Sequence, residues 1–345
     1  MNYRLWISIG ILTAVPFSTA AGQTQKPAPA DTTAPKKAAP KAATPAAKKT
    51  FRTPWGDPDL QGVWNDATST PLQRPNGQTK DVLTDEEASD FQETLAFDLT
   101  RDRRDGGNEI DVNRAYNDHW MDSRRLKITQ DKRTSLIVDP PDGRIPPRVP
   151  LSPERDKIRL ERAGANERFN AGLPRTVSDF SLPVRCIIRT DSPPYLPTIY
   201  NNDFTIYQSP GYVVIQPEMI HSARIIPLDG RPHPPSAVRQ WMGDSRGHWE
   251  GDTLVVDTTN YAPQGFQATS SAKLHVVERF TRTGPENLKY EFTINDPDTW
   301  TKPWSVMIPL RSSPDKLFEY ACHEGNTGLE GILAGARADE AAASK

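Results

Sequence analysis

A stretch of apolar residues from Tyr212 to Ile226 contains three side chains that could do chemistry together. Glu218, His221 and Arg224 follow one another at intervals of three residues. An acid, an imidazole and a guanidinium are costly to bury unless they are paired or hydrated. An imidazole exchanges protons near neutral pH, so His221 is the expected acid or base, oriented by Glu218, while Arg224 would hold an anion. The alternative is a structural ion-pair cluster.

The densest polar run begins at Asp244 and ends in a Glu-Gly-Asp sequence that we assign to a hairpin turn. Asp244, Arg246 and His248 precede that turn at alternate positions. A carboxylate bonded to an imidazole fixes the imidazole tautomer. We therefore predict catalytic roles for Asp244 and His248 and a substrate-binding role for Arg246. A surface turn around a buried arginine is the alternative.

The chain contains two cysteines, Cys186 and Cys322. Two cysteines of a protein in an oxidising compartment pair by default, and this disulfide would close a loop of about 136 residues, worth about 4–5 kcal/mol before strain. It would also hold His323 and Glu324 rigidly, which predicts a catalytic role for the histidine and a substrate contact for the acid. The competing interpretation is two free thiols, with a Cys–His pair as a nucleophile.

Tryptophans are frequent in the second half of the chain. Most are expected in the core, and an exposed subset could stack on a sugar or an aromatic ligand. The segment 298–304 is predicted to be a loop over one end of the fold. The candidates for substrate binding are Trp241, Trp300 and Trp304.

Motifs for metals and cofactors are not found in the sequence. There is no His-x-His, His-Glu-x-x-His or Asp-x-Asp-x-Asp-Gly spacing, no glycine-rich phosphate loop and no dinucleotide fingerprint. We therefore expect neither a metal ion nor an organic cofactor. The alternative is a metal site formed by histidines that converge from different strands.

Strands must position these side chains. Runs of alternating character separated by turn clusters predict antiparallel hairpins throughout the second half, and eight to ten such strands close most economically into a barrel. We predict a mainly β fold, an antiparallel meander forming a lipocalin-like barrel or a sandwich. The expected hairpins join 204–208 to 212–216, 248–249 to 253–258, 274–281 to 288–294, and 304–310 to 317–322.

Helical elaborations are predicted in the first half. Thr84 and Glu87 form a capping box that opens a helix reaching about Arg101. Ser152 followed by proline opens a second helix that reaches Asn170. Short strands are expected at 60–64 and 134–139.

The first 50 residues differ from the rest in composition. Residues 1–21 combine an early arginine, an apolar run and a small-residue cleavage site, which predicts a signal peptide and a periplasmic or secreted protein. Residues 22–50 are rich in Ala, Pro and Lys and are predicted to be a disordered tether with weak contact to the cell envelope. Residues 51–337 would form a single domain and 338–345 a flexible tail. No segment after the leader is apolar enough to span a bilayer.

Composition excludes several classes of protein. The 33 prolines argue against a helical bundle and against long parallel βαβ repeats. Residues 51–345 carry 35 basic and 43 acidic side chains, so no positive field favours nucleic acid.

Three longer motifs suggest a relationship. They are WGDPDLQGVW at 55–64, MGDSRGHWEGDTLVVDT at 242–258 and YACHEGN at 320–326. The chain resembles, over most of 51–337, a family of secreted bacterial proteins of unknown function, and this resemblance implies no particular reaction. Gly62-Val-Trp64 before a meander is also similar to lipocalin-like barrels. That likeness implies a small apolar ligand inside a barrel or an enzyme site at its mouth.

These features predict an enzyme that acts on a small organic molecule by acid–base chemistry of histidine, acid and arginine without a cofactor. A lyase, isomerase or hydrolase fits best. The alternatives are a lipocalin-like carrier without catalysis and an envelope scaffold.

Overall fold

The computed structural model describes residues 51–100, 107, 118–189, 191–220, 222–262 and 270–344. The predicted signal peptide and tether, residues 1–50, lie outside the described residues, and so does His221.

The described part of the chain contains ten strands in one antiparallel sheet. Their order is β5-β4-β3-β1-β10-β9-β8-β7-β6, and β2 also pairs with β10. The predicted mainly β fold is confirmed. The strands are β1 Gly62–Asn65, β2 Ile137–Asp139, β3 Asp203–Ser209, β4 Tyr212–Pro217, β5 Arg224–Pro227, β6 Asp244–Glu250, β7 Thr253–Thr259, β8 His275–Arg282, β9 Asn287–Asn295 and β10 Trp304–Ser312.

The first and last strands of this order meet, so the sheet forms a nearly closed barrel. A Cβ atom at Gly247 of β6 would lie 2.6 Å from Leu228 Cδ2 and 2.8 Å from Ile226 Cγ2. Distances below about 3 Å are clashes, so a larger residue at this position would require the Leu228 and Ile226 side chains to shift. Arg224 of β5 adds a hydrogen bond of 2.8 Å from its Nε to Ser245 Oγ of β6.

Alternation along the strands places apolar side chains inside the barrel. In β10, for example, Trp304, Val306, Ile308 and Leu310 are buried, while the residues between them are partly exposed. Side chains therefore fill the described part of the barrel interior, as in other small barrels. The largest side chains in this core are Trp64, Trp304, Tyr261, Tyr290, Phe280 and Phe292.

Both predicted helices are present. Helix α1, Asp85–Leu99, begins with the expected capping box between Thr84 and Glu87. Helix α2, Pro153–Asn170, begins after Ser152, whose hydroxyl accepts a hydrogen bond from the backbone NH of Arg155. Local capping signals were therefore sufficient to locate these helices.

The end of the chain differs from expectation. The predicted last strand, 317–322, consists of irregular chain and turns, because β10 already pairs with β9 on one edge and with β1 and β2 on the other. Helix α3, Thr327–Ala343, continues through most of the predicted flexible tail at 338–345. Alanine has the highest helix propensity, which accounts for helix in the Ala-rich end.

The predicted disulfide between Cys186 and Cys322 is present, with a Cα–Cα distance of 5.8 Å. Both cysteines lie in turns, although a strand was expected at Cys322. The bond ties the turn before α3 to the turn at 182–186.

Within the described residues, no helix combines the length and the apolar character needed to cross a bilayer.

Candidate active site

Neighbouring strands place three polar side chains side by side at one end of the barrel. Asn65 ends β1 and is paired in register with Asp203, the first residue of β3. Glu218 follows β4, and its backbone NH donates to the Asp203 carbonyl over 2.9 Å. Asn65 Nδ2 donates to Asp203 Oδ1 over 2.6 Å. The row is therefore set by strand register, which brings side chains of adjacent strands into contact.

A short 3-10 turn, Ser123–Leu126, supplies a guanidinium to this row. Arg124 Nε donates to Asp122 Oδ1 over 2.8 Å, and Arg124 Nη2 lies 3.6 Å from Asp203 Oδ2. Asn65 Nδ2 also donates to Asp122 Oδ2 over 3.0 Å. Burial opposes ionisation of Asp122, but the hydrogen bonds from Arg124 and Asn65 outweigh it and lower the pKa of Asp122. Asp122 is therefore an ionised carboxylate at neutral pH.

Asp66, the residue after Asn65, lies in the opposite protonation state. It is 5 % exposed. Burial, followed by the negative charges of Asp122 and Asp203, raises the pKa of Asp66 to about 8. Most Asp66 side chains are therefore protonated at pH 7, as expected for a carboxyl group in a dry site near like charges.

Asp66 faces a small pocket at this end of the barrel, with a volume of about 20 Å³, enough for about one water molecule. Asn202 lines the same pocket and is equally buried. Asp66 Oδ1 and Asn202 Nδ2 are buried and have no hydrogen-bond partner among the described residues. A buried polar atom without a partner costs about 1–3 kcal/mol, so both atoms are poised to bind a polar group that enters the pocket.

Two residues, one of them in the pocket lining, have left-handed backbone conformations. Asn201, which lines the pocket, has φ of 56°, and Ile220, which follows β4, has φ of 64°. Asparagine tolerates this region, whereas it is a genuine outlier for a β-branched residue such as isoleucine. Strained backbone of this kind clusters at functional sites.

Arg224, which was predicted to hold a substrate anion, does not line the Asp66 pocket. It is buried inside the barrel and forms an ion pair with Glu278. Its Nη2 also donates to Thr258 Oγ1 over 2.9 Å, and its Nε donates to Ser245 Oγ. The structural ion pair, which the sequence left open as an alternative, is thus the arrangement found for this arginine.

The buried ion pair is connected to the wall of the pocket. Tyr290 donates through its hydroxyl to Glu278 Oε1 over 2.8 Å and accepts from the backbone NH of Tyr195 over 3.0 Å. Tyr195 lines the Asp66 pocket, and burial raises the pKa of its hydroxyl to about 12. One side of the pocket is therefore fixed by the polar network of the core.

Asp244 and Arg246 belong to a second cluster. Asp244 Oδ1 lies 2.7 Å from Nδ1 of His233, which belongs to the segment between β5 and β6. His233 Nε2 lies 2.8 Å from Asp257 Oδ1, and His275 Nε2 lies 2.6 Å from Asp257 Oδ2. Arg246 Nη2 is 3.1 Å from Asp244 Oδ2. Asp244 therefore orients His233, and the predicted pairing with His248 is wrong.

This second cluster is electrostatically coupled but half-exposed. The hydrogen bond that His275 donates to Asp257 raises the pKa of His275. Burial opposes ionisation of Asp257, yet the two imidazoles lower its pKa. Sequence reasoning missed Asp257, although its place near the end of β7, beside the start of β8, was the available signal. We interpret this cluster as structural: its hydrogen bonds attach the segment before β6 to the sheet.

The serine between Gly243 and Gly247 completes a Gly-x-Ser-x-Gly pattern that sequence reasoning also missed. Nucleophilic serines in such patterns sit on a strand-to-helix turn. Ser245 instead lies within β6, where its hydroxyl is bonded to Arg224 and to Thr258 Oγ1 at 3.0 Å. It is a structural residue of the buried network.

The remaining candidates do not join the Asp66 site. His248 is exposed on β6, 3.2 Å from Glu250, and His323 and Glu324 are exposed beside the disulfide. Trp241 is partly exposed. Trp300 and Trp304 are buried and pack edge to face with ring centroids 5.6 Å apart, so their predicted stacking on a ligand is wrong.

Among the described residues, no three His, Cys, Asp or Glu side chains are placed to hold a metal ion. No family model matches the chain, and no curated protein or solved structure matches it. The resemblance to secreted bacterial proteins therefore stays a prediction, and the site must be interpreted from its own geometry.

Proposed function

We propose that the protein is an acid–base enzyme, a hydrolase or lyase, that acts on a small polar organic molecule at the Asp66 pocket. The observation that carries this proposal is the buried Asp66 carboxyl group, which keeps its proton at neutral pH and turns an unbonded oxygen towards the pocket. A group that holds a proton near pH 7 and can release it is suited to general acid catalysis.

The surrounding groups supply the complementary roles. Carboxyl groups whose pKa values are driven apart are the usual arrangement for an acid and a base. Asp66 is the protonated member and Asp122 the ionised one. Burial, followed by the charge on Asp203, raises the pKa of Glu218, which favours its protonated form. The sequence had selected Glu218 for its place beside His221, whose role as a base stays a prediction.

The pocket volume limits how a substrate binds. Space for about one water molecule admits a single hydroxyl, carbonyl or leaving-group oxygen, while the rest of the substrate would lie outside. In hydrolysis, the Asp66 proton would pass to the leaving oxygen, and a carboxylate of the row would take a proton from the attacking water. In elimination, the carboxylate would take the proton from carbon instead. The unbonded Nδ2 of Asn202 would donate to charge that develops on oxygen.

The lipocalin-like carrier receives less support. A carrier of that type holds its ligand within the barrel, whereas side chains fill the described part of this interior. The proposed location is the periplasm or the extracellular medium. The disulfide supports this location, because such bonds persist in oxidising compartments.

The test compares purified wild-type protein with Asp66→Asn. The probes are p-nitrophenyl glycosides, p-nitrophenyl acetate and hexuronate oligomers, which report hydrolysis or elimination by absorbance. We expect turnover of one probe class, and a loss of about 10²- to 10⁴-fold in kcat for the variant, the usual worth of a general acid.

The matched control is Asp90→Asn, which removes an exposed carboxylate of α1 and should leave kcat unchanged. Equal loss in both variants, or turnover that survives Asp66→Asn, would contradict the role of Asp66. Absence of turnover with every probe class would count against hydrolysis and elimination.

A further inference from the structure

A groove of about 560 Å³ lies between α2 and the segments around Ala272 and Asp298. This volume is within the range of small-molecule sites, roughly 300–1,000 Å³, and is much larger than the Asp66 pocket. The groove shares no lining residue with that pocket. It is a second site whose existence does not rest on the proposed function.

Hydrogen bonds fix the walls of the groove. Arg155 of α2 donates to the Asp298 carbonyl, and its Nη2 donates to Thr299 Oγ1 over 2.9 Å. The chain before α2 is held to the same segment, since the Val149 NH donates to the Thr299 carbonyl over 3.1 Å. The helix is therefore positioned against the segment after β9 while the space beside it stays open.

Positive charge predominates along the groove. The acidic side chains in the lining are Glu154 and Asp298. Asp298 is paired with Lys273 over 2.9 Å, and Arg159 of the lining is paired with Asp156 over 2.8 Å. Burial lowers the pKa of Arg162, the expected effect of desolvating a cation. This positive charge contrasts with the net negative charge of residues 51–345. The arginines of the lining are Arg148, Arg155, Arg159 and Arg162.

Apolar side chains form the other part of the lining. Leu151, which precedes α2, is 38 % exposed, Ile158 of α2 is 39 % exposed, and both line the groove. Ala163 and Ala272 also contact the groove. Helix α2 buries none of its side chains among the described residues, so its apolar groove face is open to a ligand.

We propose that this groove binds an organic anion with an apolar body, a small amphiphile that carries a carboxylate or phosphate group. The arginines bind its charged head, since a guanidinium matches both oxyanions bidentately. Leu151 and Ile158 contact its apolar body. Charge complementarity selects an anion, and the open apolar face selects an amphiphile over an inorganic ion.

The test is isothermal titration calorimetry of the full mature chain with decanoate and with decyl phosphate below their micelle concentrations. Decanol lacks the charge, and inorganic phosphate lacks the apolar body. We expect both anions to bind, with decanol and inorganic phosphate at least about 10-fold weaker. Added salt should weaken binding of the anions, because it screens partly exposed charges.

Two substitutions with matched controls locate the site. Ile158→Ser should weaken decanoate binding about fivefold or more, whereas Leu160→Ser, on the same helix but outside the groove, should not. Arg162→Gln should weaken it similarly, whereas Arg175→Gln, an exposed arginine outside the groove, should not.

Several outcomes would overturn the proposal. They are equal affinity for decanol, equal loss in the groove variants and their controls, and no heat with either anion at millimolar concentration. Binding to anionic vesicles without binding to free decanoate would assign the groove to a membrane surface and would also overturn it.

Discussion

Arg224 and Glu278 form an ion pair inside the barrel, with Arg224 3 % and Glu278 0 % exposed. Arg224 comes from β5 at one edge of the sheet, and Glu278 comes from β8, the third strand from the other edge. The ion pair therefore links the two edge regions of the sheet. These regions close the barrel through side-chain contacts between β5 and β6. Because Ser245, Thr258 and Tyr290 bond the remaining polar atoms, the buried charges are well compensated.

Glu278→Gln should therefore be strongly destabilising. It leaves the Arg224 guanidinium buried without its counter-charge, and breaking a buried pair in this way costs about 3–5 kcal/mol. The measurement is urea unfolding at pH 7. The double variant Arg224→Met/Glu278→Leu should be more stable than Glu278→Gln, because no unpaired charge remains.

The matched control is Glu250→Gln, which breaks an exposed pair with Arg279 at 2.7 Å. Exposed pairs contribute about 0–1 kcal/mol. If Glu278→Gln lowered the free energy of unfolding no more than this control does, the buried ion pair would not stabilise the closed barrel.

Elements specified by residues close together in the chain could be predicted from the sequence, and elements that depend on distant pairing could not. Thr84 and Glu87 are three residues apart, so the start of α1 could be read directly. The last predicted strand failed because the edges of β10 were taken by β1 and β2, which precede it by more than 160 residues. Its alternating pattern carried no information about that competition.

The candidate site shows the same limit. Glu218 was found because it stands out in an apolar stretch. Asp66 follows Trp64 and Asn65 near the start of the domain. Its pKa is raised by burial and then by Asp122 and Asp203, which lie 56 and 137 residues further along the chain. The surroundings that raise the pKa of Asp66 are brought together by the pairing of β1 with β3, which a local sequence pattern does not specify.

The pKa of His275 should lie above the ordinary histidine value, because Asp257 accepts a hydrogen bond from its Nε2. This raised pKa stabilises the fold below pH 6.5, and the stabilisation is lost as the pH rises through the folded-state pKa. Histidine titration by NMR in Asp257→Asn should bring the pKa of His275 down towards 6.5. Asp252→Asn, which alters an exposed turn aspartate paired with Arg52, should leave it unchanged; a shift in the control variant alone would place the cause elsewhere.

Loss of the disulfide should lower the free energy of unfolding by about 3–5 kcal/mol. The bond between Cys186 and Cys322 closes a loop of 136 residues, and a loop of that size strongly restricts the unfolded chain. The measurement is urea unfolding of Cys186→Ser/Cys322→Ser against the oxidised protein. Adding a reductant should destabilise the wild type by a similar amount and leave the double variant unaffected; a reductant effect on the double variant would point to another cause.

Asp66→Asn should make the protein more stable in alkali while it removes the proposed proton donor. The folded-state pKa of about 8 lies above the value of 3.8 for an ordinary aspartate, so the folded protein binds this proton more tightly than the unfolded chain. Stability from Asp66 is full below pH 3.8 and is lost as the pH rises to about 8, on the order of 5 kcal/mol in all. Asparagine keeps the neutral shape and removes this loss.

Urea unfolding at pH 5 and pH 9 measures the difference. Between these values the wild type should lose more stability than Asp66→Asn does, and at pH 9 the variant should be the more stable protein. Groups such as His275 contribute equally to both and cancel in the comparison. Parallel pH profiles would mean that Asp66 is ionised in the folded protein, because only a carboxyl group that is protonated when folded loses stability over this range. The general acid assigned to this pocket would then be excluded, whatever the activity of the variant.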